Sequence, residues 1–331
     1  MADAMRQIEK DLDKAEQELA RLDAVRGQKA GAYGRERLRQ AARANERLSS
    51  IWTAPPAERL AFRRDWQLKN AIGGATPGFH GTKADGERFI QLSSTEIARY
   101  QQLMFANGTK GRRNRIVIIL QGMDASGKGS LVKHVFRQGN PMGIHYHGFG
   151  APTEEELSHD FLWRIERELP KPGWISVFDR SQYEDVVMPH VWGTLPPDVW
   201  EPRYKRIVDF ERGLMADDCA VIKIFLAVSL EKQREHFLGR LDDPAKHWKF
   251  DVSDLDARDR WDDYMAAWQE VFERTSTPEA PWHVVPADNR WYSRAVVSEL
   301  LRTTLKNMNM IWPPLASNVD PAEARRRLAA D

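Results

Sequence analysis

The residues from Gly122 to Lys128 carry the clearest chemistry in the chain: Gly-Met-Asp-Ala-Ser-Gly-Lys, two glycines framing a short loop and a lysine directly after the second. Glycines allow backbone N–H groups to curl around an oxyanion, and the lysine adds a full positive charge. The residues before the loop, 116–120, are apolar and β-branched and belong in the middle of a sheet. Those after it open a helix, whose N-terminus adds partial positive charge. A strand, a glycine turn and a helix in this order make a phosphate loop, with Gly122, Ala125, Ser126, Gly127, Gly129 and Ser130 as phosphate-binding candidates and Lys128 as the cation. Two features depart from the usual pattern. The hydroxyl residue that helps hold Mg²⁺ should follow the lysine directly, but Gly129 stands there and Ser130 comes one place late. Asp124 lies inside the loop, where a carboxylate repels a nucleoside triphosphate unless a metal lies between them. Asp124 is therefore read as a metal ligand, or as a base for an acceptor phosphate, ahead of a structural turn residue.

A second acidic group closes another buried strand, at Val177-Phe178-Asp179-Arg180-Ser181. An acid at the carboxyl end of a strand beside a phosphate loop is where a Mg²⁺ ligand is expected, since open α/β sheets place their sites at that edge. Arg180 can neutralise a transferring phosphoryl group; its plainer reading is a salt bridge holding the strand end. Glu184 and Asp185 follow within a turn. Carboxylates this close together need cations, so the segment is either a metal-rich site or an acid-favouring helix N-terminus.

Basic residues supply the complement. The stretch Arg240-Leu-Asp-Asp-Pro-Ala-Lys246-His-Trp-Lys249 reads as a mobile lid whose Arg240, Lys246 and Lys249 can converge on an anion, or as a solvated charged loop. Lys133 and Arg137 share a face of the helix after the loop and either line a path for a polyanion or face water. His145 and His147 alternate on one strand face, and no third ligand stands at suitable spacing. They are read as structural or as phosphate contacts. The twelve tryptophans are read mostly as packing residues.

These groups must be positioned by alternating elements. Strands are expected over 115–121, 144–149, 174–179, 221–228 and 282–286. Helices are expected over 94–106, 129–138, 198–216, 230–241, 255–274 and 293–308, with a further one opened by a capping box at Thr153 and running to 168. Near-continuous apolar strands alternating with helices imply a parallel sheet covered on both faces. Ahead of this, Met5, Ile8, Leu12, Ala15, Leu19 and Leu22 form an a/d seam of about three heptads, and a second helical stretch ends before Pro55-Pro56. The seam reads as a helical hairpin that packs on the core or on another subunit. The expected organisation is a helical extension over 1–60, a phosphotransferase domain over 61–315 with a lid near 240–250, and a tail over 316–331.

The 331 residues carry a formal charge of +1, which implies no nucleic-acid binding by bulk electrostatics. One cysteine, Cys219, excludes an intrachain disulfide. No apolar signal core opens the chain, and its densest apolar run is too short to span a bilayer. A soluble cytoplasmic protein with no membrane partner is expected.

Several motifs in order resemble family-2 polyphosphate kinases: Gly122-x-Asp124-Ala125-x-Gly127-Lys128-Gly129, Asn140-Pro141-x-Gly143, Ala151-Pro152-Thr153-x-Glu155-Glu156, His159-Asp160-Phe161-Leu162-Trp163-Arg164, Phe178-Asp179-Arg180-Ser181-x-Tyr183-Glu184-Asp185, and Pro286-Ala287-Asp288-Asn289-x-Trp291. The resemblance implies a P-loop kinase-like three-layer α/β fold with a helical lid, and transfer of phosphate between inorganic polyphosphate and nucleoside mono-, di- and triphosphates with Mg²⁺. It implies that Lys128 and the loop amides hold polyphosphate, that Asp124 and Asp179 work with metal, that Arg180 meets phosphate, and that the chain assembles as a homodimer or homotetramer. Glu184-Asp185 and the 159–164 run look like the class accepting both mono- and diphosphates, whereas Asp179 and Gly129-Ser130 depart from that class. Two other readings stand beside it: an ATP-dependent nucleoside monophosphate kinase, and a phosphate-sensing scaffold assembled by the heptad seam. The missing hydroxyl and the loop acid speak against the first, and the density of acids and bases at two strand ends against the second.

Overall fold

The computed structural model describes residues 50–329, so the heptad seam and most of the helical extension lie outside the described residues. Residues 50–55 and 78–82 belong to one unit, within which Trp52 bridges Phe79 and Thr53 N donates to Gly78 O at 2.8 Å. The second unit, 56–77 and 83–331, holds the sheet.

Five strands form the sheet: β1 (Arg115–Gln121), β2 (Ile144–Gly148), β3 (Ile175–Asp179), β4 (Cys219–Ala227) and β5 (Trp282–Pro286). Their order is β2-β3-β1-β4-β5 and every pairing is parallel. β1 and β5 are buried along their whole length, as apolar runs covered on both faces require. From β1 the chain moves one way to β2, and from β3 it moves the other way to β4. The loops leaving β1 and β3 therefore part, and a crevice opens between two adjacent strand ends.

The helices are α1 (Pro56–Arg59), α2 (Lys83–Gly108), α3 (Lys128–Val135), α4 (Glu154–Leu157), α5 (Trp163–Arg167), α6 (Glu184–Trp192), α7 (Pro197–Ala216), α8 (Leu230–Leu241), α9 (Ser253–Asp259), α10 (Trp261–Thr275), α11 (Arg290–Asn307) and α12 (Pro321–Leu328). α2, α3 and α11 pack together, α6, α7 and α10 pack together, and β4 touches both α7 and α11. The result is the expected three-layer α/β architecture.

Three local expectations need correction. The helix opened by Thr153 has its full capping box, but it stops at Leu157 and restarts at Trp163. Between the two, Asp160 Oδ1 accepts the Leu162 N–H at 3.1 Å, a local bond that competes with helix continuation. The helix expected over 255–274 breaks at Arg260, whose Nη1 donates to Val191 O at 3.2 Å. α2 begins eleven residues earlier than the 94 expected, at Lys83. Gly86 lies in its first turns because a Cβ there would meet the Trp291 ring at 2.2 Å. Of the two readings for Glu184 and Asp185, the helix N-terminus holds: they form the first turn of α6.

Candidate active site

The phosphate loop begins at the end of β1 with a backbone that side chains resist. Gly122 has φ 141°, Ala125 φ 62° and Gly127 φ 105°. At Gly122 a Cβ would also stand 2.7 Å from Leu226 O, so glycine is required there on two counts. Lys128 opens α3, is buried, and its Nζ donates to Gly122 O at 2.7 Å, which lays the ammonium along the loop. α8 braces the loop from β4's side: Gln233 Nε2 donates to Asp124 O at 3.0 Å and His236 Nδ1 lies 2.8 Å from Ala125 O. Sequence spacing gave no hint of these two residues, which act on backbone atoms from a distant helix.

β3 delivers the second set. Asp179 is level with Leu120 of β1, and Arg180 N donates to Leu120 O at 2.9 Å as the chain turns out of the strand with φ 66° at Arg180. That turn sends the Arg180 side chain back across the crevice to Asp124, Nη2 to Oδ1 at 2.7 Å. The salt-bridge reading of Arg180 is thus correct as to contact, and its partner is the acid of the phosphate loop. Burial pushes the Asp124 carboxyl up, but the charges of Lys128, Arg180 and Arg240 outweigh it and hold it below the usual carboxylate range. Burial lowers the Arg180 pKa, and Glu184 and Asp124 more than reverse this, so Arg180 stays charged. Tyr146 on β2 donates to Asp179 Oδ2 at 3.1 Å. Asp124 and Asp179 offer hard oxygen ligands at neighbouring strand ends, and Asp124 is held ionised, which is the donor set Mg²⁺ takes.

A cleft of about 700 Å³ extends from this point. Its lining combines the charged Asp124, Arg180 and Glu184 with the apolar and aromatic Val187, Met188, Trp192, Leu195, Tyr264 and Trp268. Burial raises the Glu184 pKa, against the lowering effect of Arg180 and Lys128. Asp185 also lines the cleft, but its carboxylate faces Arg164 at 3.3 Å and Arg203 at 3.6 Å. Those two arginines also line the cleft.

The other sequence candidates are spread more widely. Ser126 is buried in the loop, and the displaced Ser130 hydroxyl takes a hydrogen bond from Arg294 Nη2 at 2.8 Å. Lys133 lies exposed on α3, but the helix ends at Val135 and Arg137 lies exposed in the turn beyond it, so the two do not share a helix face as expected. Arg240, Lys246 and Lys249 do not converge in this arrangement. Arg240 donates to Lys249 O and pairs with Asp254 at 3.2 Å, Lys246 pairs with Asp243 at 2.7 Å, and Lys249 lies over the Trp248 ring. The lid stretch is a 3₁₀ segment, Pro244–Lys249, stitched by these contacts. His145 and His147 gain a third neighbour that spacing did not show, Glu168. Among the described residues no helix is long and apolar enough to cross a membrane.

The motif set, the parallel sheet and the loop with an internal acid can be compared with known proteins. The family described as Polyphosphate kinase 2 matches residues 82–312. The chain belongs to the polyphosphate kinase 2 family. It is similar to polyphosphate kinase 2 from Arthrobacter aurescens TC1, whose crystal structure superposes with a TM-score of 0.81 at 42% identity, over 85% of this chain and 98% of that one. The AMP/ADP-polyphosphate phosphotransferase of Meiothermus ruber is 37% identical over 75% of this chain and 91% of its own length. The ADP-polyphosphate phosphotransferase of Rhodopseudomonas palustris is 37% identical over 69% and 82%. As a member of the polyphosphate kinase 2 family, the chain is a phosphotransferase.

Proposed function

We propose that this enzyme transfers a phosphoryl group between inorganic polyphosphate and nucleoside di- and monophosphates, with Lys128 and the loop amides gripping the polyphosphate end and the cleft receiving the nucleotide. The observation that carries this reading is the cleft itself: an Asp124–Arg180 pair at a glycine loop, opening onto an apolar wall of nucleoside size. The names of the relatives supply the substrate classes.

In the proposed reaction an oxygen of the nucleotide's terminal phosphate forms a new bond to the terminal phosphorus of polyphosphate. The bridging P–O bond breaks, and the chain, one unit shorter, leaves with the electron pair. No protein nucleophile is needed, because such transfers depend on positioning and electrostatics. Lys128 and Arg180 face the charge that spreads over the transferring oxygens. Asp124 orients Arg180 through their hydrogen bond. Arg164 and Arg203 draw the acceptor's phosphate into the cleft, and its apolar and aromatic lining takes the base. Mg²⁺ held by Asp124 and Asp179 would neutralise phosphate charge at this point.

A buried free Cys219 supports a reducing, cytoplasmic setting. Assembly as a homodimer or homotetramer rests on the family resemblance, and sedimentation of the chain with and without residues 1–60 tests the part played by the extension. The activity test mixes purified protein with polyphosphate, Mg²⁺ and either ADP or AMP, without ATP. ATP or ADP should appear. No product would sink the reading, and ATP-dependent AMP phosphorylation without polyphosphate use would favour a nucleoside monophosphate kinase.

A further inference from the structure

His145 and His147 stand on the same side of β2, an edge strand, with Tyr146 between them on the other side. Facing the two rings is Glu168, the residue that caps the end of α5. Its Oε2 lies 2.7 Å from His145 Nε2 and 3.2 Å from His147 Nδ1, and the three atoms all fall within 4.8 Å of one another. Glu168 is fixed at its backbone, since Ser176 Oγ of β3 donates to Glu168 O at 3.0 Å. The His147 ring is fixed by Phe149, with centroids 4.4 Å apart. Among the described residues this is the one group of three such side chains that converges. Nothing in the phosphoryl chemistry uses it.

We infer that His145, His147 and Glu168 form a binding site for a divalent late first-row transition ion such as Zn²⁺. Two imidazole nitrogens and one carboxylate oxygen are a donor set that Zn²⁺ takes at about 2.0–2.2 Å, leaving a further position for water. An ion at such bond lengths sits between ligand atoms roughly 3–3.5 Å apart, so the observed spacing needs only small side-chain shifts. The same donors suit Mg²⁺ poorly, because it prefers oxygen ligands, and nitrogen-rich sites favour Ni²⁺, Cu²⁺ and Zn²⁺. The ion would tie β2 to the end of α5. That matters to the enzyme in two places: Tyr146, between the two ligands, donates to Asp179, and the chain leaving β2 runs through Phe149 to Pro152 along the cleft.

The test strips full-length protein of metal and dialyses it into buffer with millimolar Mg²⁺, which saturates carboxylate sites. Zn²⁺ is then titrated in competition with a chromophoric chelator. The wild type should take up one equivalent. Glu168→Gln keeps a hydrogen-bond acceptor for both rings, and should melt as the wild type does in chelator while losing zinc affinity by at least about tenfold, since even outer-shell changes cost that much. The His145→Ala/His147→Ala double variant should lose the equivalent altogether. X-ray absorption at the zinc edge of the loaded wild type gives a readout independent of any variant's folding, and should show two imidazole ligands. Uptake of no equivalent by the wild type, its retention by the double variant, or a zinc shell without imidazole would each overturn the assignment.

Discussion

Arg180 Nη2 lies 2.7 Å from Asp124 Oδ1, so a residue leaving β3 in a left-handed turn closes an ion pair with the acid inside the phosphate loop. The contact joins two strand ends at the mouth of the crevice. It also fixes an arginine that lines the cleft. Loss of a preorganised donor of this type costs about 3–4 kcal/mol of transition-state stabilisation, or about 10²–10³ in rate. Arg180→Ala should therefore lower kcat for polyphosphate-driven ATP formation by about that factor, while thermal unfolding moves little because the site is partly exposed. Arg180→Lys should recover only part of the loss, since the ammonium lacks the planar fork. Steady-state kinetics of both variants decides it, and a wild-type kcat in Arg180→Ala would remove the residue from the mechanism.

Two carboxyls of the site have opposite pKa displacements, and an acid limb of activity is expected to follow from them. Lys128, Arg180 and Arg240 outweigh burial at Asp124 and hold it low, whereas burial dominates at Glu184 and raises it above its ordinary 4.5. On acidification Glu184 takes up its proton first, and charge is lost beside Arg180 and Lys128. The kcat/KM profile should fall on the acid side through a pKa above the ordinary glutamate value. In Glu184→Gln that limb should be absent, down to the pH where Asp124 protonates. An unchanged limb in the variant would assign it elsewhere.

Gly122 is held by backbone and space together. A methyl group there would stand 2.7 Å from Leu226 O and 3.0 Å from Ser126 Oγ, at φ 141°. Gly122→Ala must displace the start of the loop from β4. A destabilisation of about 1–3 kcal/mol is expected from strain and overpacking, with activity lost beyond that because the loop amides no longer curl together. Thermal melting and kcat measured on the same preparation test it; a variant with wild-type values in both would show that the loop tolerates the shift.

β1 and β5 were legible because each is buried along its whole length, and both were expected at the residues where they occur; the edge strand β2 is only partly buried and alternates His145 and His147. The loop was legible because its glycines and lysine are contiguous in the chain. Contacts made by residues far apart in sequence were not. Asp124 and Arg180 were both candidates, but their pairing depends on the β1–β3 register and on the left-handed turn at Arg180. Gln233 and His236 brace loop carbonyls from α8, a role that leaves no pattern in spacing. Glu168 reaches the two histidines because α5 ends beside the edge strand. The helix breaks at 158–162 and at Arg260 were missed because they lie in local backbone conformation: an Asp160 side chain takes the Leu162 N–H in the first, and Arg260 sits at φ −99°, ψ 27° in the second.

His283 on β5 makes the fold acid-sensitive. Its Nδ1 lies 3.1 Å from Lys223 O, and burial pushes its pKa from 6.5 down to about 4. The unfolded chain therefore binds a proton that the folded chain refuses. Stability is unaffected above the unfolded value, falls as pH drops below 6.5, and stops falling from this cause near pH 4. The loss from this one group should reach about 2 kcal/mol by about pH 5. Urea unfolding of the wild type and of His283→Gln at neutral pH and at about pH 5 tests it: the difference between the two proteins should narrow by that amount on acidification. A constant difference would mean that His283 ionises normally inside the fold.

The deepest charge in the sheet is Lys223 of β4, fully buried and paired with Glu211 of α7 at 2.8 Å. Its Nζ also donates to Thr275 O at 2.7 Å and to the Tyr183 hydroxyl at 3.3 Å, and the Tyr183 hydroxyl itself donates to Glu211 Oε1 at 2.7 Å. Burial lowers the Lys223 pKa, and Glu211 opposes that shift. Breaking such a pair leaves one charge buried without a partner, at a cost of about 3–5 kcal/mol, whereas replacing both members by apolar groups is often neutral. Lys223→Met alone should therefore unfold at much lower denaturant, and Lys223→Met/Glu211→Leu should regain most of the loss. The double variant should still be catalytically impaired. Tyr183 immediately precedes Glu184, and without Glu211 its hydroxyl no longer anchors the turn that sets Arg180 and Glu184 in the cleft. Denaturant titration separates the stability effect from the kinetic one. A double variant as destabilised as the single would show that the network acts by shape and packing alone, with no net electrostatic coupling between Lys223 and Glu211.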